Sequence, residues 1–439
     1  MKTAISKIRD IWNAKEIRNK ILFTVMILLV YQLGSAIPVP YVKSEIASLF
    51  QQTYGGSILE YLNVLSGTAL AQATLFALSI SPYITASIVI QLLTVAIPKW
   101  QSWSKEEDGQ KKLTQITRIA TVILAVITAW AYYGILSRNS WLYSDGVFEA
   151  IVIISCFCAG AAIIMWLGEK INEKGIGNGI SMILFANIIA GFPRNISGVW
   201  NLFSKWGWGT AIAVVGVLIF LAIVVFIIFV TNSERRIPVQ YSKRVVGRKM
   251  YGGQNTNLPL KLNMNGVMPV IFASSIVSLP ATIGTLLGHK TSDKGFWGVF
   301  LKIFEATSPL YIVLYLVLII AFGYFYTLIS FDPVEVSNNL KRNGGTILGI
   351  RPGAPTADYI KKILNRITLI GSLFLIVVAG LPLIINAIAV ALPQKWNLSG
   401  IAGLAFSGTS LLIVIGVALE TYRDIEAQMS MRHYKGFLQ

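Results

Sequence analysis

The residues best equipped to bind something are basic, and they fall in two runs. Between 231 and 263 stand Arg235, Arg236, Lys243, Arg244, Arg248, Lys249 and Lys261, interleaved with Tyr241 and Tyr251. Between 331 and 366 stand Lys341, Arg342, Arg351, Lys361, Lys362 and Arg366, with Arg351 inside Gly349-Ile350-Arg351-Pro352-Gly353. Glycine and proline at those positions predict a tight turn that presents one arginine. Such runs could grip phosphates of ribosomal RNA or an acidic soluble partner. Contact with anionic lipid accounts for many of the charges. It does not account for loops of more than 30 residues, which in compact proteins are functional or disordered.

Catalytic chemistry is missing. There is no H-E-x-x-H, no G-x-S-x-G and no Walker loop, which argues against a protease or an ATPase within the chain. His289 and His433 lie outside the long apolar stretches. Cys156 and Cys158 lie inside one, as packing residues and not as a disulfide framework or zinc pattern. The expectation is a protein that is not an enzyme and needs no cofactor or metal. If it moves something, a partner supplies the energy.

The elements that must position the basic runs are membrane spans. Of 439 residues, 54% are hydrophobic and only 13% charged, against about 25% charged in a soluble domain. Apolar stretches of bilayer-crossing length, ~20 residues, run at 21–37, 75–97, 117–136, 148–168, 211–230, 267–287, 311–330, 367–386 and 404–422. A shorter one at 180–192 follows Gly175-Ile176-Gly177-Asn178-Gly179 and is read as a span with a glycine-loosened start. The first stretch exceeds a signal-peptide core and is read as retained. With ten spans and both termini cytoplasmic, 29 of the 37 Lys and Arg fall on the inner side, as the positive-inside rule requires. Trp100, Trp103, Trp141, Trp206, Trp208 and Trp396 mark span ends. No span centre carries an ionisable residue, the usual mark of a proton relay or ion-coupled pump.

Two short patterns recur five spans apart. Pro82-Tyr83-Ile84-Thr85-Ala86-Ser87 matches Pro269-Val270-Ile271-Phe272-Ala273-Ser274, and Gly179-Ile180-Ser181-Met182-Ile183-Leu184 pairs with Gly408-Thr409-Ser410-Leu411-Leu412-Ile413. A five-span displacement inverts each copy in the membrane, and inverted repeats place a functional path at their interface. Ile84, Ile271, Leu184 and Ile413 then either meet at that interface or simply face lipid and neighbouring helices. Residues 55–74 are too short and polar to span yet apolar for a free loop. They form either a helix tucked back into protein or an interfacial helix on the outer leaflet.

These segments resemble the SecY family of bacterial protein-conducting channels. The resemblance is carried by Pro82–Ser87 with the following Ile88-Val89-Ile90-Gln91-Leu92-Leu93-Thr94, by Gly175–Ser181, by Leu258-Pro259-Leu260-Lys261-Leu262-Asn263 through Ser275, by Gly349–Gly353 and by Gly408–Ile413, and it covers nearly the whole chain. It implies an all-α polytopic membrane protein with ten transmembrane helices in two inverted five-helix halves around a central pore. The halves are expected at 21–192 and 211–422, joined by an external hinge loop at 193–210, with a cytoplasmic segment at 1–20 and a tail at 423–439. It implies a pore ring of Ile80, Ile84, Ile180, Leu184, Ile271 and Ile413, with Leu184 replacing the commoner isoleucine. It implies a plug helix near 57–73, including Ser57, Ile58, Leu59, Leu62, Leu65, Ser66 and Gly67, and a lateral gate between spans two and three and spans seven and eight. Arg235, Arg236, Lys243, Arg244, Arg248, Lys249 and Arg351 would dock the SecA ATPase or the ribosome, SecE would clamp the halves and SecG would sit alongside. Signal sequences, unfolded client polypeptides and membrane lipids complete the implied partners; no DNA is among them. The expected setting is the cytoplasmic (inner) membrane. A passive channel for unfolded chains is thus the leading expectation, with a secondary transporter for a small solute as the alternative.

Overall fold

The computed structural model describes residues 9–43, 45–54, 63, 66–204, 208–241, 244–246, 249–251, 255–264, 266–286, 295–304, 308–391 and 408–435. Helices α1 (Lys15–Ser35), α2 (Ile46–Tyr54), α3 (Ser81–Ala96), α4 (Pro98–Lys105), α5 (Glu107–Arg138), α6 (Val147–Lys174) and α7 (Gly179–Ser204) come first. Then follow α8 (Trp208–Asn232), α9 (Met268–Leu286), α10 (Phe296–Ile303), α11 (Pro309–Ser330), α12 (Pro333–Arg342), α13 (Ala354–Ala391) and α14 (Gly408–Lys435). Each of the ten apolar stretches overlaps one of these helices. Among the described residues, five helices are long and apolar enough to cross a bilayer unaided, and the pair α3–α4, bent by 107°, makes a sixth. Gly179–Pro193, Val217–Asn232 and Met268–Pro280 are shorter apolar helices. The protein is a helical, multi-pass membrane protein.

Its outward faces are apolar. In α1, Leu22, Val25, Met26, Leu29, Val30 and Leu33 are exposed, a stripe at helical spacing that suits lipid or a membrane partner. Inside, every buried polar residue among those described is an uncharged Ser, Thr or Asn. The first five spans contact the last five where α9 packs on α3 and α5, and where α14 and α8 pack on α7.

Two local expectations need correction. The second span does not begin at 75: residues 66–80 run as successive turns, and helix starts only at Ser81. Ser79 sits at φ 51°, and Pro82 fills the first turn of α3, so the chain cannot be helical upstream and is set to be helical downstream. An apolar run reads the same in sequence whether it is helical or folded back against protein. Second, the Gly175–Gly179 run is a fastened joint and not a loose start. The Ile176 N–H donates to Thr24 Oγ1 (3.1 Å), Gly177 N–H to Asp424 Oδ2 (3.1 Å) and Gly179 N–H to Asn172 Oδ1 (2.7 Å). Asn178 Oδ1 accepts from Ile180 and Ser181, an N-cap for α7. The spans are all helical, as expected, and among the described residues short strands lie only in the connecting basic loops. The basic loop after α8 forms β1 (Glu234–Tyr241), β2 (Arg244–Val246), β3 (Lys249–Tyr251) and β4 (Asn255–Lys261), and the loop after α12 adds β5 (Gly345–Ile347).

These strands make one three-stranded antiparallel sheet, in the order β4-β1-β5, and a separate β2-β3 hairpin. Glu234 lies opposite Lys261, and Val239 opposite both Thr256 and Ile347. Pairing to β5 begins just after Pro238, whose nitrogen has no hydrogen to donate. Ile237, Val239, Leu260, Ile347, Leu340, Ile360, Leu364 and Ile367 bury one small core that joins the sheet to α12 and the base of α13.

Candidate functional site

The six aliphatic residues of the expected ring all fall within one large hydrophobic cluster. Ile80, Ile84, Leu184 and Ile413 are buried members of a single hydrophobic cluster, and Ile180 and Ile271 are half-buried and packed against it. None of the six is exposed. They arrive from four places: the residue capping α3 and its first turn, the first two turns of α7, the start of α9 and the start of α14. In each pair the described helix begins the same number of residues before the aliphatic one: Ser81 and Met268 before Ile84 and Ile271, Gly179 and Gly408 before Leu184 and Ile413. A dry aliphatic cluster offers no hydrogen bond to water or ions, so it can exclude them when closed.

The irregular segment 66–80 runs into this cluster, to which it contributes Phe76 and Ile80. It is held by polar contacts with its neighbours, as backbone at membrane depth must be. Asn63 Oδ1 accepts from Ala71 N–H (2.8 Å), Ser66 Oγ from Leu70 N–H (3.2 Å) and the Leu70 carbonyl from the Tyr132 hydroxyl. Val39 N–H donates to the Ala73 carbonyl (3.1 Å) and Leu75 N–H to that of Ile37 (2.9 Å). Of the expected plug residues, Ser57, Ile58, Leu59, Leu62 and Leu65 lie outside the described residues. Ser66 is buried and Gly67 half-buried, and both stand in turns and not in a helix.

At the side, α9 packs against α3 and α5, and Tyr326 of α11 donates its hydroxyl to Gln91 Oε1 of α3 at 2.5 Å. Phe272 of α9 lies against Tyr326, with ring centroids 5.0 Å apart. Spans two and three thus face seven and eight through aromatic and amide contacts. Sequence reading missed Asn63, Ser79, Gln91, Asn187 and Tyr326. Their signal was a polar side chain inside an apolar stretch.

The basic residues gather on the sheet. Arg235 and Arg236 are exposed on β1, with Arg236 Nε 2.7 Å from Glu234 Oε1. Arg244 and Lys249 belong to the β2-β3 hairpin; Lys243 and Arg248 lie outside the described residues. Arg351 is exposed on a turn between β5 and α13. Gly349 at φ 79° and Gly353 at φ 107° take a conformation that other residues avoid. Thr356 Oγ1 donates to the Arg351 carbonyl (2.9 Å) and Ser337 Oγ to that of Gly353 (2.7 Å), which pins the turn from both sides. Because β5 pairs with β1, two loops about a hundred residues apart form one basic surface. At its root, burial and then the neighbouring Arg423 guanidinium pull the Lys261 ammonium below its ordinary range.

Comparison with known proteins agrees with this arrangement. The family model described as SecY matches residues 74–422. The chain is 43% identical to "Protein translocase subunit SecY" of Halalkalibacterium halodurans, covering 98% of this chain and 99% of that one. It is 41% identical to the protein of the same name from Streptomyces galbus, covering 96% and 97%. In fold it is similar to a solved structure described as "The structure of a protein conducting channel", with a TM-score of 0.64 and 17% identity over 94% of this chain and 92% of the other. It is also similar to Sec61 in a canine ribosome-channel complex, with a TM-score of 0.61 and 16% identity over 94% and 92%. Matching across the spans, the irregular segment and the basic sheet alike, this chain belongs to the SecY family.

Proposed function

We propose that the chain is the channel subunit of a protein translocase of the cytoplasmic membrane. It passes unfolded polypeptides across the bilayer and releases apolar segments sideways into it. The observation that carries this reading is the dry cluster of Ile80, Ile84, Ile180, Leu184, Ile271 and Ile413, drawn from both inverted halves and backed by a folded-in segment. A passage for arbitrary sequences should bind no side chain strongly. Aliphatic groups meet that need, and their soft side chains can reshape around each passing residue.

The two halves, 21–192 and 211–422, part about the 193–210 connection. The residues near 57–73 are the plug. The contacts between α3, α5, α9 and α11 are the lateral gate, and the Tyr326–Gln91 bond is one of those that break when it opens. A segment leaves for lipid only if apolar, since a charge at mid-membrane costs about 2.5–3.5 kcal/mol on insertion scales. Both termini and the sheet face the cytoplasm, on the charge asymmetry. There the basic surface receives the SecA motor or the ribosome, while SecE and SecG pack on the lipid-facing sides. The chain itself catalyses no covalent step; energy comes from the partner.

The test is reconstitution. Proteoliposomes holding the chain with a SecE-type partner should protect a secretory client from external protease only when SecA and ATP are present. Gradient-driven uptake of a small solute, with no client protection, would replace this reading with the transporter.

A further inference from the structure

We infer that Asp424 is a positioning residue that keeps the two halves joined at the start of the fifth span while they part elsewhere. The inference rests on the channel reading above. It gives the halves a second pivot, at the end of α7 opposite the 193–210 connection.

Asp424 stands on α14, eleven residues beyond Ile413, about 16 Å along the helix. Its Oδ2 accepts from the Gly177 N–H at 3.1 Å and its Oδ1 from Gln428 Nε2 at 3.3 Å. Gln428 in turn accepts from Lys20 Nζ of α1 at 3.1 Å. Thr24, one turn along α1 from Lys20, accepts from the Ile176 N–H at 3.1 Å. Consecutive backbone amides between α6 and α7 are thus held from two helices, one in each half. Around them Ala14, Ile17 and Ile176 bury a small apolar core of their own, and Ile425 and Met429 of α14 pack on it. Gly177 makes the close approach possible. It sits at φ 75°, and a Cβ there would stand 3.1 Å from Thr421 Oγ1.

The two contacts between the halves differ in kind. At the gate, Tyr326 meets Gln91 through two side chains on rotatable stems, so a rotamer change breaks the bond with no backbone movement. At the joint, Asp424 is a short side chain held at both oxygens, and its partner is a main-chain N–H that cannot swing away. Parting it leaves a bond to a charged group unmade, which costs more than losing a neutral one. The neighbouring Arg423 ties the same point to the basic sheet. Its Nη2 donates to the Thr231 carbonyl at 2.9 Å and to Asn232 Oδ1 at 2.8 Å, at the end of α8 and two residues before β1. Force on the sheet is therefore delivered beside the joint. A hinge fixed at one point lets two bodies twist; one fixed at both ends of a span confines them to a single rotation. That rotation opens the side where α9 and α11 meet α3 and leaves α7 against α14.

The experiment is motor-driven translocation by the reconstituted channel, read as protease protection of a secretory client, in a chain carrying Cys156→Ala and Cys158→Ala. Thr421 Oγ1 and Met182 Sδ lie 3.6 Å apart across the joint, so Thr421→Cys with Met182→Cys puts a thiol pair there. Gln91→Cys with Tyr326→Cys puts one across the gate. Each pair is joined by a bis-maleimide shorter than the ~10 Å width of a helix. Joined at the gate, the channel should lose translocation by about tenfold or more; joined at the joint, it should stay within about twofold of the untreated chain. A loss at the joint as large as at the gate would overturn the pivot. Asp424→Leu should lower the rate at saturating motor about tenfold, the size expected for one bond to a charged group, with the half-saturating motor concentration unchanged. Asp424→Asn, which keeps an acceptor oxygen, should stay within about threefold, and the joint cross-link should restore Asp424→Leu. An Asp424→Leu rate equal to the parent's, a loss the cross-link does not restore, or an equal loss in Asp424→Asn would overturn the role given to Asp424. If Asp424→Leu fails to fold, the two cross-links decide alone. Undiminished translocation with the gate joined would mean that the halves do not part there, which removes the pivot and leaves a channel. A parent that takes up a small solute and protects no client overturns the channel reading and the pivot with it.

Discussion

The aliphatic cluster around Ile84 and Leu184 and the basic sheet are stabilised in opposite ways. Around Ile84 and Leu184 almost everything is apolar and buried, and the few polar contacts, such as Asn187 with Ser79, have no water to compete with. Around Arg235, Arg236 and Arg351 the charges are exposed above a small core of Ile237, Val239, Ile347 and Ile360. In the dry region a single hydrogen bond is strong because the alternative is an unsatisfied group. In the wet region a single charge is worth little unless its geometry is fixed. The turn at Gly349–Gly353 supplies that fixing, by backbone conformation and by the bonds from Thr356 and Ser337. On the function proposed above, one region gates by exclusion and the other recognises by placement.

The largest expected effect breaks the recognition side alone. Arg351→Glu should lower SecA-driven translocation about a hundredfold, at the strong end of single-charge effects at interfaces, and leave thermal unfolding in detergent unchanged. Lys341→Glu, an exposed charge on α12 away from the pinned turn, should lower it less than threefold. Equal and mild losses from both would mean that net charge and not placement matters. Next comes the exclusion side. Ile84→Asn with Ile271→Asn should raise idle conductance by about ten times or more, since polar groups let water wet a constriction, while translocation continues. Val89→Asn, on the exposed side of α3, should stay tight; leakage from Val89→Asn with a tight double variant would remove the ring assignment.

Much of this was legible from residue types. Ten apolar runs gave ten helices because membrane length leaves few alternatives, and the recurrence of P-x-I-x-A-S pointed to Ile84 and Ile271 before any packing was known. The β1–β5 pairing was not legible. It joins Tyr241 to Gly345, and nothing local in either loop encodes a partner that far along the chain. The turns at 66–80 were hidden for another reason. Their fold depends on Asn63, Tyr132 and Val39, and an apolar composition does not reveal which neighbour will satisfy its backbone.

Two smaller effects sharpen the contrast. Gly353→Val forces a β-branched residue to φ 107°, at a cost of about 1–3 kcal/mol. Motor binding, measured by titration against the reconstituted channel, should weaken several-fold through the displaced turn with no change in idle conductance. A rise in conductance would show that the two regions are not separable. Tyr31→Phe removes a hydroxyl that makes no well-formed bond and keeps the ring stacked on Phe76. Idle conductance should change by less than about twofold; a larger rise would give the Tyr31 hydroxyl a part in the seal.

Helix α13 carries a mechanical consequence. It begins three residues after Arg351 and runs for 38 residues with Pro382 inside it, about 57 Å at 1.5 Å per residue. The bilayer core is about 30 Å thick, so much of this rod stands clear of it, with the arginine turn at its foot. A motor that leans on the turn works a lever. A tilt of about 5° about the foot would carry the far end sideways by about 5 Å, close to the pitch of one helical turn. On the proposed orientation, thrust applied at the turn would reach the far end of the helix without any relay of side-chain rearrangements between them.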